Sequence, residues 1–279
     1  MPVARRPVCG VAERLDGTPG PAGPAVQPAR AELAGAELAG AEDGLATLAG
    51  FAPSGVLLRR LDRAAPLLGA LEFPPALDSP GWAALLDAVT VQETRLFRAA
   101  PQLLALAALM PGLPAPGGRL RLLSAGCASG EEAWSLAVLA GAEGIAAEVL
   151  GIDLCRPALA AAAAGRYAAG PPDALRDVPP ALHSHFVREA GWVLPRPPAP
   201  PAFRRANLLD LPPDLGGFGA VLCRNVLIYL LPEARAAVVR ALVGLLPPGG
   251  ALLLGPTDVP GPDLPLVPEP GTHGIWRRQ

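Results

Sequence analysis

From residue 120 onward the chain repeats one pattern: a short apolar run ending at a glycine or polar residue, then a helical stretch. LRLLSAG (120–126) leads into a helix over 131–139, and EVLGID (148–153) leads into a second over 157–165. FGAVLCRN (218–225) precedes a helix over 232–246, and ALLLGP (251–256) closes the series with a fourth strand. Strands that are apolar throughout, without a polar face, are buried on both sides. Their alternation with helices predicts an α/β fold, a mostly parallel sheet with helices on both faces. Pro232 stands at a helix start, and Val238, Val239, Leu242, Leu245 and Leu246 supply that helix's buried stripe.

The pattern before residue 113 is different. Residues 46–112 carry helical spacings, with Val56, Leu57, Leu61 and then Leu67, Leu68, Leu71 on one side and Arg59, Arg60 and Arg63 on the other. Trp82, Leu85, Leu86 and Val89 form the apolar face of a further helix. This predicts a small all-helical domain ahead of a sheet domain over 113–279. Residues 1–45 contain GTPGPAGP and a doubled AELAG, whose glycines lower helix propensity, and are expected to be a flexible leader with some nascent helix. The interval 170–206 breaks the strand–helix rhythm with FVREAGWVLP (186–195), a hairpin signal around Gly191, and then the stiff PRPPAPPA. It reads as an excursion from the sheet.

Composition narrows the functional classes. All 23 basic residues are arginines, and the formal charge of −2 gives no general basic field for nucleic acid. Cys9, Cys127, Cys155 and Cys223 are too scattered for a metal or redox pair, and His183 and His185 are expected at a surface loop or helix end. The two early arginines have no apolar run behind them, so no secretory signal is expected. The richest apolar stretch, 237–255, is broken by Arg240 and PPGG, so a cytoplasmic protein without a membrane span is expected.

Three segments carry the chemistry. In SAGCASGEE (124–132) a strand runs through glycines into a helix, the place where α/β sheets bind nucleotide-like ligands. Gly126 allows the tight turn and Gly130 a close backbone approach. A dinucleotide phosphate needs the helix N-terminus free, but Glu131 and Glu132 already occupy that turn. A donor with a cationic sulfonium and an amino acid end suits the site better. Asp153 ends the next strand about 20 residues past the glycines, where an acidic residue binds ribose hydroxyls; the alternative, a cap on the following helix, could coexist with that role. In CRNVLIY (223–229), Asn225 and Tyr229 lie four apart and share a side if one helical turn forms there.

In this order and spacing, these segments resemble the CheR-type chemotaxis receptor methyltransferases, over roughly residues 54–258. VQETRLFR (91–98) is similar to the family's segment between the helical and sheet domains, and SAGCASGEE to its cofactor loop. GIDLCRPAL (151–159) with GRY (165–167) is similar to its second strand and helix, ANLLDL (206–211) to its adenine-side segment, and LCRNVLIYL (222–230) to its most recognisable stretch.

The resemblance implies a Rossmann-like class I methyltransferase sheet, S-adenosylmethionine as cofactor, and methyl esterification of glutamate side chains on chemoreceptor-like proteins. It also implies that Gln92, Thr94 and Arg98 hold the cofactor from the interdomain side. Glu131 or its neighbour Glu132 would bind the amino acid end, and Asp153 the ribose. Asn207 with Leu208, and Asn225 with Val226, would frame the adenine and methionine portions, with Gly126 at the loop. Arg98 and Tyr229 are the candidate catalytic, orienting groups. An acidic receptor helix would meet Arg59, Arg60 and Arg63.

The chain departs from the family in three places. Leu96 replaces a phenylalanine, GPTD (255–258) replaces Gly-His-Ser-Glu, and a proline-rich excursion stands where the family carries a three-stranded β-subdomain. The departures leave two alternatives: a non-catalytic S-adenosylmethionine-binding signalling module, or a methyltransferase with another protein or small-molecule substrate.

Overall fold

The computed structural model describes residues 27–279, with side-chain surroundings from residue 35 on. Contacts divide the chain into units Met1–Ala36 and Glu37–Gln279, and the fold and its cleft belong to the second. Of the expected leader, residues 1–26, with Cys9, lie outside the described residues.

The helices are α1 (Gln27–Ala49), α2 (Gly55–Arg63), α3 (Ala65–Leu68), α4 (Pro80–Val89), α5 (Ala100–Leu109), α6 (Glu131–Ala142), α7 (Arg156–Ala164) and α8 (Pro232–Gly244). The strands are β1 (Leu120–Ala125), β2 (Ala147–Asp153), β3 (Tyr167–Ala168), β4 (Phe186–Glu189), β5 (Trp192–Pro195), β6 (Ala202–Arg205), β7 (Ala220–Cys223), β8 (Ala251–Leu254), β9 (Leu266–Pro268) and β10 (Ile275–Arg278).

Seven strands form one sheet in the order β6-β2-β1-β7-β8-β10-β9. Five of them are parallel, while β10 runs antiparallel to both β8 and β9. Each central strand buries both faces. Leu122 and Leu222 pack towards α5 and α6, whereas Leu123, Val221 and Cys223 pack towards α8. This is the doubly covered sheet of a class I methyltransferase fold. Among the described residues no helix is long and apolar enough to cross a membrane.

Within the expected leader, the described residues 27–45 belong to a continuous helix, α1, rather than to a flexible segment with only nascent helix. Ala41, Leu45 and Ala49 are buried in one cluster with Leu57, Leu61, Trp82, Leu85 and Leu86. The glycines that argued against a helix provide its packing surface, because a Cβ on Gly44 would lie 1.9 Å from the Trp82 ring. A helix propensity penalty of about 1 kcal/mol is outweighed by burial of an indole. The expected division near residue 112 also shifts in packing terms: α5 joins the cluster under the sheet through Leu103 and Leu106, not the cluster of α1, α2 and α4.

The excursion at 170–206 is not reduced to a hairpin. β4 and β5 turn through Ala190 and Gly191, both left-handed (φ 47° and 83°), as a two-residue hairpin requires, and β3 adds a third antiparallel strand on β5. β3 escaped the sequence reading because it is two residues long and follows α7 directly. The proline run that obscured the region is the connector into β6. Also unforeseen are β9 and β10, where prolines and glycines interrupt any period-2 pattern.

Candidate active site

The chain leaves β1 towards β2 on one side of the sheet and later fills β7 on the other. At such a reversal the loops leaving the carboxyl ends part, and a crevice opens. Here it is closed from above by residues 49–57 and by the segment between α4 and α5, giving one cleft. That lid is tied down on both flanks. Ala52 N–H donates to the Tyr229 carbonyl at 2.8 Å, and the Asp87 carboxylate takes the Arg156 side chain at 2.6–2.7 Å.

The loop after β1 makes the floor. Gly126 is left-handed (φ 77°), and a Cβ there would meet Val226 Cγ2 at 2.5 Å, so the loop and the turn after β7 pack backbone to side chain. Ala128 (φ 50°) and Asn225 (φ 58°) adopt the same region without being glycine, a strain characteristic of ligand sites.

Asp153 ends β2. Its Oδ2 accepts the Ala128 N–H at 2.8 Å and its Oδ1 the Cys155 N–H at 2.9 Å, so it ties the glycine loop to the start of α7. The capping role read from the sequence is not the one it takes: the N-cap of α7 is Cys155, and the Arg156 N–H donates to Asp87 Oδ1 at 2.8 Å. Burial raises the Asp153 pKa above the usual carboxylate range, against the opposing pull of the Cys155 and Ala128 amides. Among the described residues it has no ion-pair partner.

The acidic pair on α6 divides. Glu132 lines the cleft, with Oε1 accepting from the Ser124 hydroxyl at 2.7 Å and Oε2 from Arg224 Nη1 at 3.0 Å. Glu131 is outside the lining: its Oε2 takes the Ser129 hydroxyl at 2.7 Å, and burial raises its pKa. Successive helical residues point about 100° apart, so the two carboxylates cannot share one target.

Gln92, Thr94 and Arg98 all line the cleft from the α4–α5 segment. Arg98 folds back, donating from Nη1 to the Glu93 carbonyl at 2.6 Å and from Nη2 to the Glu93 carboxylate at 3.5 Å. Asn207, Leu208, Asn225, Val226 and Tyr229 line the opposite wall. The Asn207 amide is already engaged, donating to the Leu48 carbonyl at 2.6 Å and accepting the Leu209 N–H at 3.1 Å. A single 3-10 turn, Leu227–Tyr229, brings Asn225 and Tyr229 to the cleft together.

These residues fit a nucleoside donor on observations of the protein alone. A buried Gln92 Oε1 has no hydrogen-bond partner, and the Asp153 carboxylate close by has no cation. Both are acceptors left for a ligand's donors.

A comparison with known families decides the matter: the CheR methyltransferase SAM-binding domain matches residues 92–261, more than half of the chain. The chain belongs to the CheR methyltransferase family. It is an S-adenosylmethionine-dependent methyltransferase.

It is 34% identical over 192 residues to chemotaxis protein methyltransferase 1 of Pseudomonas aeruginosa, covering 62% of this chain and 68% of that one. It is 35% identical over 194 residues to the probable biofilm formation methyltransferase WspC of the same organism, covering 64% of this chain and 45% of that one. With the chemotaxis protein methyltransferase of Vibrio parahaemolyticus the identity is 31%, over 63% of this chain and 67% of that one.

Within this CheR frame the Leu96 departure has a local explanation, while nothing in the structure explains GPTD. Leu96 is fully buried beside Phe97, filling apolar space as a phenylalanine would. Asp258 is buried with Oδ2 unpartnered, and burial raises its pKa; the oxygen would lie 2.6 Å from a Cβ on Gly255. The sequence reading overlooked Arg224, 3% exposed at its side chain and part of the cleft wall. The available signal was a charge at the end of an otherwise apolar strand. Of the expected basic face, Arg59 and Arg63 are exposed. Arg60 turns inward and donates to the Thr90 carbonyl at 2.9 Å, because the end of α4 presents unpaired carbonyls there.

Proposed function

We propose that this methyltransferase esterifies glutamate side chains of chemoreceptor-like proteins that it meets in the cytoplasm. The observation carrying the reading is Arg98, a cleft guanidinium whose carboxylate contact is the exposed Glu93 at 3.5 Å. A pair this long and solvated is worth at most about 1 kcal/mol, so an incoming glutamate can replace it.

The donor supplies a methyl group on a cationic sulfur, which leaves as a neutral thioether when a carboxylate oxygen takes the methyl. The residues therefore need to bind, orient and exclude water, not to remove a proton, because a glutamate is already ionised at neutral pH. Asp153 and Gln92 offer acceptors for ribose hydroxyls. Glu132, not Glu131, faces the cleft and offers its remaining lone pairs to the donor's ammonium. Backbone of Asn207 and Leu208 borders the adenine, with Gly126, Asn225 and Val226 along the methionine portion and Thr94 beside Gln92. Arg98 and Tyr229 orient the carboxylate. Alignment of this kind supplies up to about 7–11 kcal/mol.

The test is incubation with tritiated S-adenosylmethionine and receptor-rich membranes. Base-labile label released as methanol supports the reading. Base-stable label directs the enzyme to another substrate, and no transfer to any glutamate overturns it.

A further inference from the structure

We infer that Arg224 is a positioning residue that sets the shape of the cleft for both substrates through one buried guanidinium. The inference rests on the reading above for Arg98 and Glu132. Arg224 follows β7 and reaches three elements at once. Nη1 donates to Glu132 Oε2 on α6 at 3.0 Å, Nε to Gln102 Oε1 on α5 at 3.2 Å, and Nη2 to the Arg98 carbonyl at 2.5 Å. A planar fork with donors fixed in direction can hold three such partners; a lysine ammonium on a flexible stem cannot reproduce the arrangement.

The third contact has the largest consequence. Arg98 stands between two left-handed non-glycine residues, Phe97 (φ 56°) and Ala99 (φ 53°). Such a turn persists only where its surroundings overdetermine it. It is pinned on one side by the Phe97 N–H donating to the Ser135 hydroxyl at 2.9 Å, and on the other by Arg224 holding the Arg98 carbonyl. The direction in which the Arg98 side chain enters the cleft is thus set from β7. The same guanidinium offsets the Glu132 charge and fixes its carboxylate. Gln102 extends the brace through its amide, which donates to the His273 carbonyl at 3.1 Å.

The test uses the full-length chain and titration with S-adenosylhomocysteine, which needs no protein substrate. Arg224→Ala leaves Glu132 buried without its partner and is expected to weaken product binding about a hundredfold. Because the residue lines the cleft, guanidinium at roughly 20 mM, far below denaturing levels, should enter the space and restore about tenfold of that loss, with no effect on the parent protein. Arg224→Lys keeps a cation near Glu132 but loses the fork. It should bind the product within about threefold of the parent while its kcat falls about tenfold, the worth of a charge-assisted hydrogen bond. A role as a structural brace alone would lower Tm and leave affinity and kcat intact.

Parent-like product binding in Arg224→Ala, no guanidinium rescue in the folded variant, or parent-like kcat in Arg224→Lys overturns the inference. Should Arg224→Ala fail to fold, the Arg224→Lys result decides. If the parent protein forms no base-labile ester, the glutamate reading falls, and the product-binding arms still judge Arg224.

Discussion

Gly44→Ala should destabilise the protein, against what helix propensity alone predicts. In the interior of α1, alanine is favoured over glycine by about 1 kcal/mol. The new Cβ, however, would lie 1.9 Å from Trp82 Cη2 and 2.6 Å and 2.7 Å from the adjoining ring carbons. Relief requires a shift of about 1.5 Å between helix and indole to reach ordinary contact. The indole is poorly able to move. It is fully buried, its Nε1 donates to the Glu72 carbonyl at 2.6 Å, and its ring meets Phe73 edge to face at 5.5 Å. Overpacking costs about 1–3 kcal/mol and loss of the aromatic pair roughly another 1 kcal/mol. The net expectation is destabilisation by about 1–3 kcal/mol, a fall in Tm of roughly 3–10 °C for a chain of this size. Gly244→Ala is the control: it ends α8, and no atom beyond its chain neighbours and its own helix backbone lies within 4 Å of its added Cβ, so Tm should hold or rise slightly. The end of α1 also holds the cleft, since the Leu48 carbonyl takes the Asn207 amide and Ala49 is part of the lining. Product affinity should therefore fall with Tm. If calorimetry shows both variants stabilised alike, α1 is not seated on Trp82 and the packing argument is wrong.

Other substitutions separate the remaining assignments. Asp153→Ala should weaken S-adenosylhomocysteine binding by about ten- to a hundredfold, the worth of one or two charge-assisted hydrogen bonds; unchanged affinity by titration would remove the ribose assignment. Burial raises the Glu131 pKa above 4.5, so its ionisation opposes folding, and the stability present below that value is lost as pH rises through the folded value. Glu131→Gln should accordingly raise Tm near neutral pH and leave it unchanged at about pH 4, and an equal gain at both would refute the sign. Charge reversal at the exposed Arg59 and Arg63 should raise the receptor KM several-fold with product affinity intact, whereas Arg60 reversal should instead lower Tm, because Arg60 caps α4.

Periodicity revealed the elements that bury both faces or one clear stripe. β1, β2, β7 and β8 are short, mostly apolar runs between turn residues, α6 and α8 carry a buried apolar face, and that alternation has few folded solutions. The glycine loop, Asp153 and Asn225 were visible for a related reason: the reversal in strand order puts strand ends at the cleft, and strand ends can be read from sequence. What escaped depends on partners distant in the chain. Gly40 and Gly44 weaken α1 as an isolated helix and only make sense once Trp82 and Phe73 lie across them. β3 exists because Tyr167 pairs with Val193 and its hydroxyl donates to the Ser129 carbonyl at 2.9 Å. Arg224 looks like an isolated charge until α5, α6 and the Arg98 turn converge on it.

That convergence also changes the reason for which the cleft suits a cationic donor. From sequence, two glutamates at the N-terminus of α6 make the site negative. In the structure the cleft is lined by Glu93, Glu132 and Asp153 but equally by Arg95, Arg98 and Arg224. Arg224 pairs with Glu132, Arg98 with Glu93, and Arg95 with Asp177, which is not in the lining. Unscreened acidity among these lining residues is thereby confined to Asp153, and the rest of the charged lining is close to balanced. A balanced pocket suits this chemistry better than a strongly negative one. Strong negative charge would hold the sulfonium but repel the glutamate carboxylate that must approach it, while a net positive pocket would do the reverse. With every lining charge except Asp153 offset by an opposite charge, both ions can enter, and the loss of charge as they react is favoured in the dry interior.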